Sequence, residues 1–158
     1  MPPKLPERLN EYTARAAAQG DASGAAACVR AAYEHYVARN GLVPMPMRQD
    51  YDEVMRDYQV TVVEHGGEIV AVLALAVTGE GFLLDNIAIA PPHQGKGLGC
   101  ALLQYAETEA RRQGFDSIYL YAQEIMTENI TRYGRIGYVE YARRVEFGLS
   151  RVYLRKRL

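Results

Sequence analysis

The chain carries no excess of either charge. Its 18 basic and 19 acidic residues give a formal net charge of −1, so the electrostatic footprint of a nucleic-acid or anionic-membrane binder is missing and neither partner is expected. Cysteine is scarce: Cys28 and Cys100 stand far apart, and each reads as a buried, small apolar side chain. No secretory signal and no apolar run of membrane length is seen, so a reducing cytoplasm is the expected setting. His35, His65 and His93 have no metal-ligand spacing and no partnered cysteines; no metal site is expected, and His65 and His93 read as turn residues. No tandem repeat or low-complexity stretch occurs beyond an alanine-rich run that a first helix explains. The proline-rich opening points to a flexible N-terminal tail over 1–10 ahead of a single domain over 11–158. A chain of 158 residues buries roughly 70% of its unfolded surface, enough for an enzyme core.

What the chain does have is a glycine turn between an apolar strand and an amphipathic helix: Gln94, Gly95, Lys96, Gly97, Leu98, Gly99. Glycine lets the backbone approach a ligand closely and take up positive φ, and a helix opening at Gly97 aims unpaired N–H groups and its positive dipole end at a bound anion. The turn therefore reads as a phosphate cradle. A P-loop would need Ser or Thr after the lysine, but Lys96 is followed by Gly97. The dinucleotide fingerprint fits weakly, because Gly95, Gly97 and Gly99 step by two, and this disfavours a nucleotide- or NAD-binding module.

The rest of the chain is legible as elements. Tyr12 to Ala17 suggests a first strand, and Ala22 to Arg39 a helix stopped by Asn40 and Gly41, with Cys28, Ala32 and Tyr36 on one face. Leu42 to Met47 reads as an apolar loop, since Pro44 and Pro46 oppose a regular helix. Gln49 to Tyr58 is a short helix. Gln59 to Glu64 and Ile69 to Val77 form a hairpin, followed by a strand from Phe82 to Ala90. Gly97 to Gln113 is a helix, with Leu98, Leu102, Tyr105 and Ala106 at helical spacing. Ser117 to Ala122 is a strand expected to lie parallel to the one before the cradle. Met126 to Ile136 is a helix, and Tyr138 to Arg144 with Arg151 to Arg157 form a last pair of strands. The alternating Arg151, Tyr153, Arg155 and Arg157 read as the exposed face of an edge strand. By period-two alternation Asp85 falls on the same face as Leu83, Ile87 and Ile89.

Gln94, Gly97 and Gly99 fit the pattern Gln/Arg-x-x-Gly-x-Gly/Ala, and the segment from Leu84 to Leu103 resembles the signature of the GNAT superfamily of N-acetyltransferases. The resemblance implies an α/β fold of three layers, with a GNAT-like mixed, mostly antiparallel twisted sheet of six to seven strands flanked by about four helices. It implies acetyl-CoA as co-substrate, its pyrophosphate on Gln94, Gly95, Lys96, Gly97, Leu98, Gly99 and Cys100. Its pantetheine would lie in a splay of the sheet against Ile87, Ala88 and Ile89. Homodimers are common in the family, so a homodimer is expected.

Attack of an amine on a thioester needs a neutral amine, stabilisation of an oxyanion and a proton for the departing thiolate. Tyr133, followed by Gly137 and Tyr138, is similar to the family's Tyr-x-x-x-Gly-Phe/Tyr motif, whose hydroxyl lies near the CoA sulfur; Tyr133 is thus the implied general acid. Asp85 matches a strand position where some members carry a base or amine-binding residue, the other reading being a structural carboxylate. Met126 replaces the asparagine that many members have seven residues before the tyrosine, which leaves Asn129 as the nearest amide for CoA. Tyr121 stands where members that acetylate ribosomal-protein N-termini carry Glu. Met45, Met47, Arg48, Tyr51 and Tyr121 are the residues expected to shape the acceptor site, Arg48 as a partner for an acceptor carboxylate. The implied activity is direct acetyl transfer to a primary amine of a small molecule. A peptide or protein amine, or a non-catalytic acyl-CoA-binding regulatory domain, is the alternative.

Overall fold

A strand that is apolar along its length has to be covered on both faces, and Val70 to Leu75 is buried throughout. The computed structural model, which describes residues 3–41 and 43–158, builds the molecule around that strand. Strands β1 (Thr13–Ala16), β2 (Gln59–His65), β3 (Glu68–Thr78), β4 (Gly81–Ile89), β5 (Ser117–Gln123), β6 (Val139–Glu146) and β7 (Leu149–Arg157) form one seven-stranded sheet in the order β1-β2-β3-β4-β5-β7-β6. Every neighbouring pair is antiparallel except β4 and β5, which run parallel as expected. The helices are α1 (Ala22–Asn40), α2 (Met45–Arg48), α3 (Tyr51–Asp57), α4 (Leu98–Arg112) and α5 (Thr127–Arg135). No helix among the described residues is long and apolar enough to cross a membrane.

The two sheet faces hold separate cores. On one, Ala22, Ala25, Cys28, Val29 and Ala32 of α1 and Val54 of α3 meet Val60, Val62, Val72, Ala74 and Ala88. The small side chains at helical spacing let α1 lie close to the sheet. On the other, Leu98, Leu102, Ala106 and Ala110 of α4 meet Leu73, Leu75, Phe82, Leu84, Ile118, Leu120, Val152 and Leu154. Ile130 and Tyr133 of α5 pack against that second core. The result is the three-layer arrangement expected of the fold.

Several local expectations are corrected. The stretch from Pro3 to Asn10 is not loose: it makes a 3₁₀ turn at Glu7–Leu9, Leu9 is buried, and Leu5 packs on the α4-side core. Two leucines four apart on a turn preset by Pro6 suffice to dock it; Met1 and Pro2 lie outside the described residues. The apolar loop over Leu42–Met47 contains one helical turn, α2, which tolerates Pro46 because the first turn of a helix leaves its N–H groups unpaired anyway; Leu42 lies outside the described residues. The last strand is not an edge. It inserts between β5 and β6, burying Arg151 and Tyr153, and leaves the charged strand β6 at the edge.

One buried charge makes α4 sensitive to acid. Glu109 is 2% exposed, and its carboxylate accepts from Arg112 Nη2 at 2.8 Å and from Gln59 and Gln113 Nε2 at 3.3 Å each. These donors, Arg112 first, hold its pKa at about 2. A depressed pKa stabilises the fold above the ordinary carboxylate range, and that stability drains away as pH falls through the range to about 2. Because water screens the exposed Arg112, Glu109→Gln is expected to cost only ~1–2 kcal/mol at pH 7. The variant should also lose stability less steeply than the native chain between pH 4.5 and 2.5, values of order set by the carboxylate titration. Urea unfolding at a series of pH values checks this, and parallel curves for the two proteins would refute it.

Candidate active site

The site begins where two strands part. β4 and β5 pair only at Phe82 with Ile118 and Leu83 with Tyr119; beyond Leu83 the β5-side edge of β4 has no strand neighbour. On its other side β4 stays paired with β3, Leu73 opposite Ile87, Val72 opposite Ala88 and Ala71 opposite Ile89. Ala90 N–H donates to Val70 O at 2.9 Å, and antiparallel hydrogen bonding alternates from residue to residue. Val72 and Ala88 therefore bond each other, whereas Ile87 and Ile89 turn their backbone groups away from β3, toward the gap. Of the three residues expected to meet a pantetheine chain, Ile87 and Ile89 present backbone to the gap, and Ala88 spends its own on the sheet. The outward carbonyls are already in use, since Tyr33 Oη donates to Ile87 O at 3.2 Å and Gln94 Nε2 to Ile89 O at 2.9 Å.

A bulge sets the direction of the catalytic candidate. The register shifts between Ala74 and Leu75, which face Asn86 and Leu84, leaving Asp85 as the extra residue. The alternation slips by one there. Phe82 and Leu84 pack toward α4, and beyond the bulge it is Ile87 and Ile89 that do so. Asp85 and Leu83 thus do not share a face with Ile87 and Ile89, as unbroken alternation had suggested. Asp85 Oδ1 accepts from Tyr121 Oη at 2.9 Å. Burial raises the Asp85 pKa, while Tyr121, Gln49 and Arg151 oppose the rise.

The glycine turn closes one end of the gap. Gly95 and Gly97 have φ of +76° and +97°, α4 starts at Leu98, and Gly97 is its N-cap. None of the N–H groups from Gly95 through Cys100 donates to a backbone carbonyl among the described residues. A Cβ on Gly99 would stand 3.2 Å from Ile89 Cδ1, so the helix start is held tightly against β4. A Cβ on Gly97 would stand 3.1 Å from Arg8 Nη2; the docked N-terminal segment brings a cation to the turn, which no local signal in the sequence announces. Lys96 is exposed, and Gln94 uses its side chain to fasten the turn to Ile89. Cys100 is exposed rather than buried, because it lies on the outer side of the first turn. Cys28 is buried, and burial lifts its thiol to about 11. A β-branched side chain strains a left-handed position by about 1–3 kcal/mol. Gly97→Val is accordingly expected to weaken acetyl-CoA binding about tenfold or more, as titration calorimetry would measure. Unchanged affinity in a folded variant would refute the cradle.

Beside the parting strands lies an open cleft whose wall includes Tyr33, Met45, Asp85, Asn86, Tyr121 and Tyr133. Tyr133 comes from α5, edge-on to Tyr138 at 5.6 Å between ring centroids. Burial lifts its phenol to about 12, so it stays protonated at neutral pH. Asn129, one turn earlier on α5, reaches the same cleft, and Met126 is buried in its wall. Of the residues expected to shape an acceptor site, Met45 and Tyr121 line the cleft. Tyr51 is buried and donates to Pro46 O at 2.8 Å; Met47 and the exposed Arg48 are not in the wall. The cleft's arginine is Arg151. Asn86 and Tyr33 were also missed by sequence reasoning: Tyr33 Oη donates to Asn86 Oδ1 at 2.9 Å across 53 positions, and period and spacing carry no trace of so distant a pair.

Away from the cleft, His93 Nδ1 is 2.8 Å from Tyr12 Oη, and the His65 ring lies 5.0 Å from that of His93. His65 ends β2 rather than sitting in the turn. Among the described residues no three His, Cys, Asp or Glu side chains are placed to hold a metal ion.

Comparison with known proteins bears on the whole arrangement. The family described as "Acetyltransferase (GNAT) family" matches residues 26–138. Comparison with curated protein sequences finds no match. Among solved structures, the PaiA N-acetyltransferase from Thermoplasma acidophilum in complex with coenzyme A superposes with a TM-score of 0.74 at 15% identity, over 93% of this chain and 99% of that one. The yncA protein from Salmonella typhimurium, solved with its cofactor acetyl-CoA, gives 0.66 at 25% identity, over 94% and 95%. The ribosomal-protein-S18-alanine N-acetyltransferase from Escherichia coli gives 0.68 at 18% identity, over 92% and 93%. Because the family match takes in the glycine turn, both parting strands and α5, the chain belongs to the acetyltransferase (GNAT) family.

Proposed function

We propose that this acetyltransferase moves the acetyl group of acetyl-CoA directly to a primary amine of a small molecule, with no covalent enzyme intermediate. The observation that carries the reading is the parting of β4 from β5 after Leu83 and Tyr119. Supporting it, Ile87, Asp85 and Tyr133 line one cleft beside that gap, and the glycine turn packs against Ile89 at the end of β4. Acetyl-CoA supplies an activated thioester. The N–H groups of Gly95 to Cys100 suit its pyrophosphate, with Arg8 and Lys96 as nearby cations, and the outward N–H groups of Ile87 and Ile89 suit its pantetheine and acetyl oxygens. Asp85 takes a proton from the acceptor ammonium, aided by burial that raises its affinity for protons. An outward N–H of β4 receives the negative charge that develops on the acetyl oxygen. Tyr133 donates its proton to the leaving sulfur. Neither cysteine is needed, and the buried Cys28 thiol is a poor nucleophile.

We further expect one catalytic unit that takes in the docked N-terminal segment along with 11–158, a cytoplasmic setting and a homodimer; fractionation and sedimentation test the last two. The test of the function is release of CoA thiol from acetyl-CoA with amino acids, polyamines, aminoglycosides and short peptides as acceptors. Turnover with a small amine supports the reading. Turnover confined to peptides moves the acceptor class, and acetyl-CoA binding with no turnover on any acceptor supports a regulatory domain instead.

A further inference from the structure

We infer that the acceptor carries a carboxylate, held by Arg151, beside the amine that Asp85 deprotonates: a small zwitterion of the amino-acid kind. The inference rests on the acetyl-transfer reading and goes beyond it by naming the acceptor's chemistry. Arg151 is 5% exposed and lies near the start of β7, between Gln123 of β5 and Arg144 of β6. Its guanidinium lies over the Tyr121 ring, 4.4 Å from the centroid, and the hydroxyl of that ring is the donor to Asp85. One tyrosine therefore carries a cation on its face and a carboxylate at its tip, both in the wall of one cleft.

Arg151 is poorly matched for a purely structural ion pair. It reaches Glu146 through Nη1 alone, at 3.3 Å, and the other Glu146 oxygen is taken by Tyr153 Oη. The same chain shows a well-made pair at Arg15, whose Nη1 and Nη2 meet the two oxygens of Asp21 at 2.7 and 2.9 Å. A guanidinium has five donors in a fixed fork, and the contact with Glu146 uses one of its nitrogens. A carboxylate entering the cleft would meet that fork two-pronged. Asn86 supplies a second donor in the same wall: its Nδ2 is buried without a well-directed hydrogen bond. The nearby Tyr51 hydroxyl is turned to Pro46 O. The carboxylate contact expected of Arg48 thus falls to an arginine of the last strand.

The test is a set of matched acceptors, each amino acid against its own carboxamide, with the native chain, Arg151→Gln and Arg151→Lys. The native enzyme is expected to prefer the acids at least thirtyfold in kcat/KM, an estimate of order set by the roughly 2 kcal/mol of a charge-assisted pair. Arg151→Gln is expected to raise KM for the acids about 10- to 100-fold and to move the amides less than about threefold, with Arg151→Lys between. Equal use of acids and amides by the native enzyme overturns the inference, as does an equal loss on both from a variant that melts normally and binds acetyl-CoA. If the variants fail to fold, the native acid-to-amide ratio decides. If no acceptor turns over, titration of acids and amides into CoA-loaded enzyme decides, preferential acid binding supporting the inference and its absence overturning it. Failure to bind acetyl-CoA at all overturns the acetyl-transfer reading itself.

Discussion

Tyr133→Phe is expected to lower kcat by about 10²- to 10³-fold while leaving acetyl-CoA affinity within about twofold, the size typical of losing a general acid. The change removes one oxygen and keeps the ring, so packing against Tyr138 and the α4-side core survives. No other cleft residue is as well prepared to protonate a thiolate. Its pKa is raised to about 12 by burial, which keeps the proton on the phenol at neutral pH yet leaves it easier to give up than a proton of water. Steady-state CoA release gives kcat and titration calorimetry gives the affinity. An unchanged kcat would remove the role, whereas loss of binding would make Tyr133 a wall of the CoA site.

Asp85→Asn is expected to cost about 10²- to 10⁴-fold in kcat/KM near neutral pH and to abolish the acidic limb of the pH profile. The sign follows from the base role. Asp85 works only when ionised, burial moves its pKa upward, and so activity rises as pH passes that raised value and falls below it. Asparagine has no such titration, so the variant's profile should follow the acceptor amine alone. Tyr121→Phe distinguishes base from scaffold, because it deletes the hydrogen bond to Oδ1 and leaves the carboxylate in place. With its anionic form less stabilised, Asp85 should titrate at still higher pH, and the acidic limb should shift upward. Normal activity of Asp85→Asn across pH would leave the carboxylate structural.

Much of this molecule follows from short-range rules. The hairpin at Gly66 and Gly67, the long amphipathic helix and the phosphate turn each depend on residues a few positions apart, whose period and turn chemistry are readable directly. The helix stops before Gly41, Gly114 and Gly137 are local in the same sense. Tyr133 and Asp85 are reached through the family resemblance, whose motif positions they occupy; periodicity alone places them on a helix and a strand.

What escaped that reading depends on pairing across the fold. The bulge at Asp85 exists only because β3 and β4 slip past each other at Ala74 and Leu75; alternation along β4 alone predicts an unbroken face. Arg151 looks like an edge residue until β7 is seen to insert between β5 and β6. A hairpin's own sequence does not say which of its strands joins the sheet. Arg8 and Leu9 come from a stretch whose prolines suggest a loose tail, and only the core surface offered by Leu98, Leu102 and Val63 gives Leu9 somewhere to bury. By itself the sequence determined most of the elements and the glycine turn, because these arise from neighbours along the chain. The tertiary structure alone decided which backbone groups face the gap, which way Asp85 points and which arginine enters the cleft, because those depend on strand register and order between segments far apart.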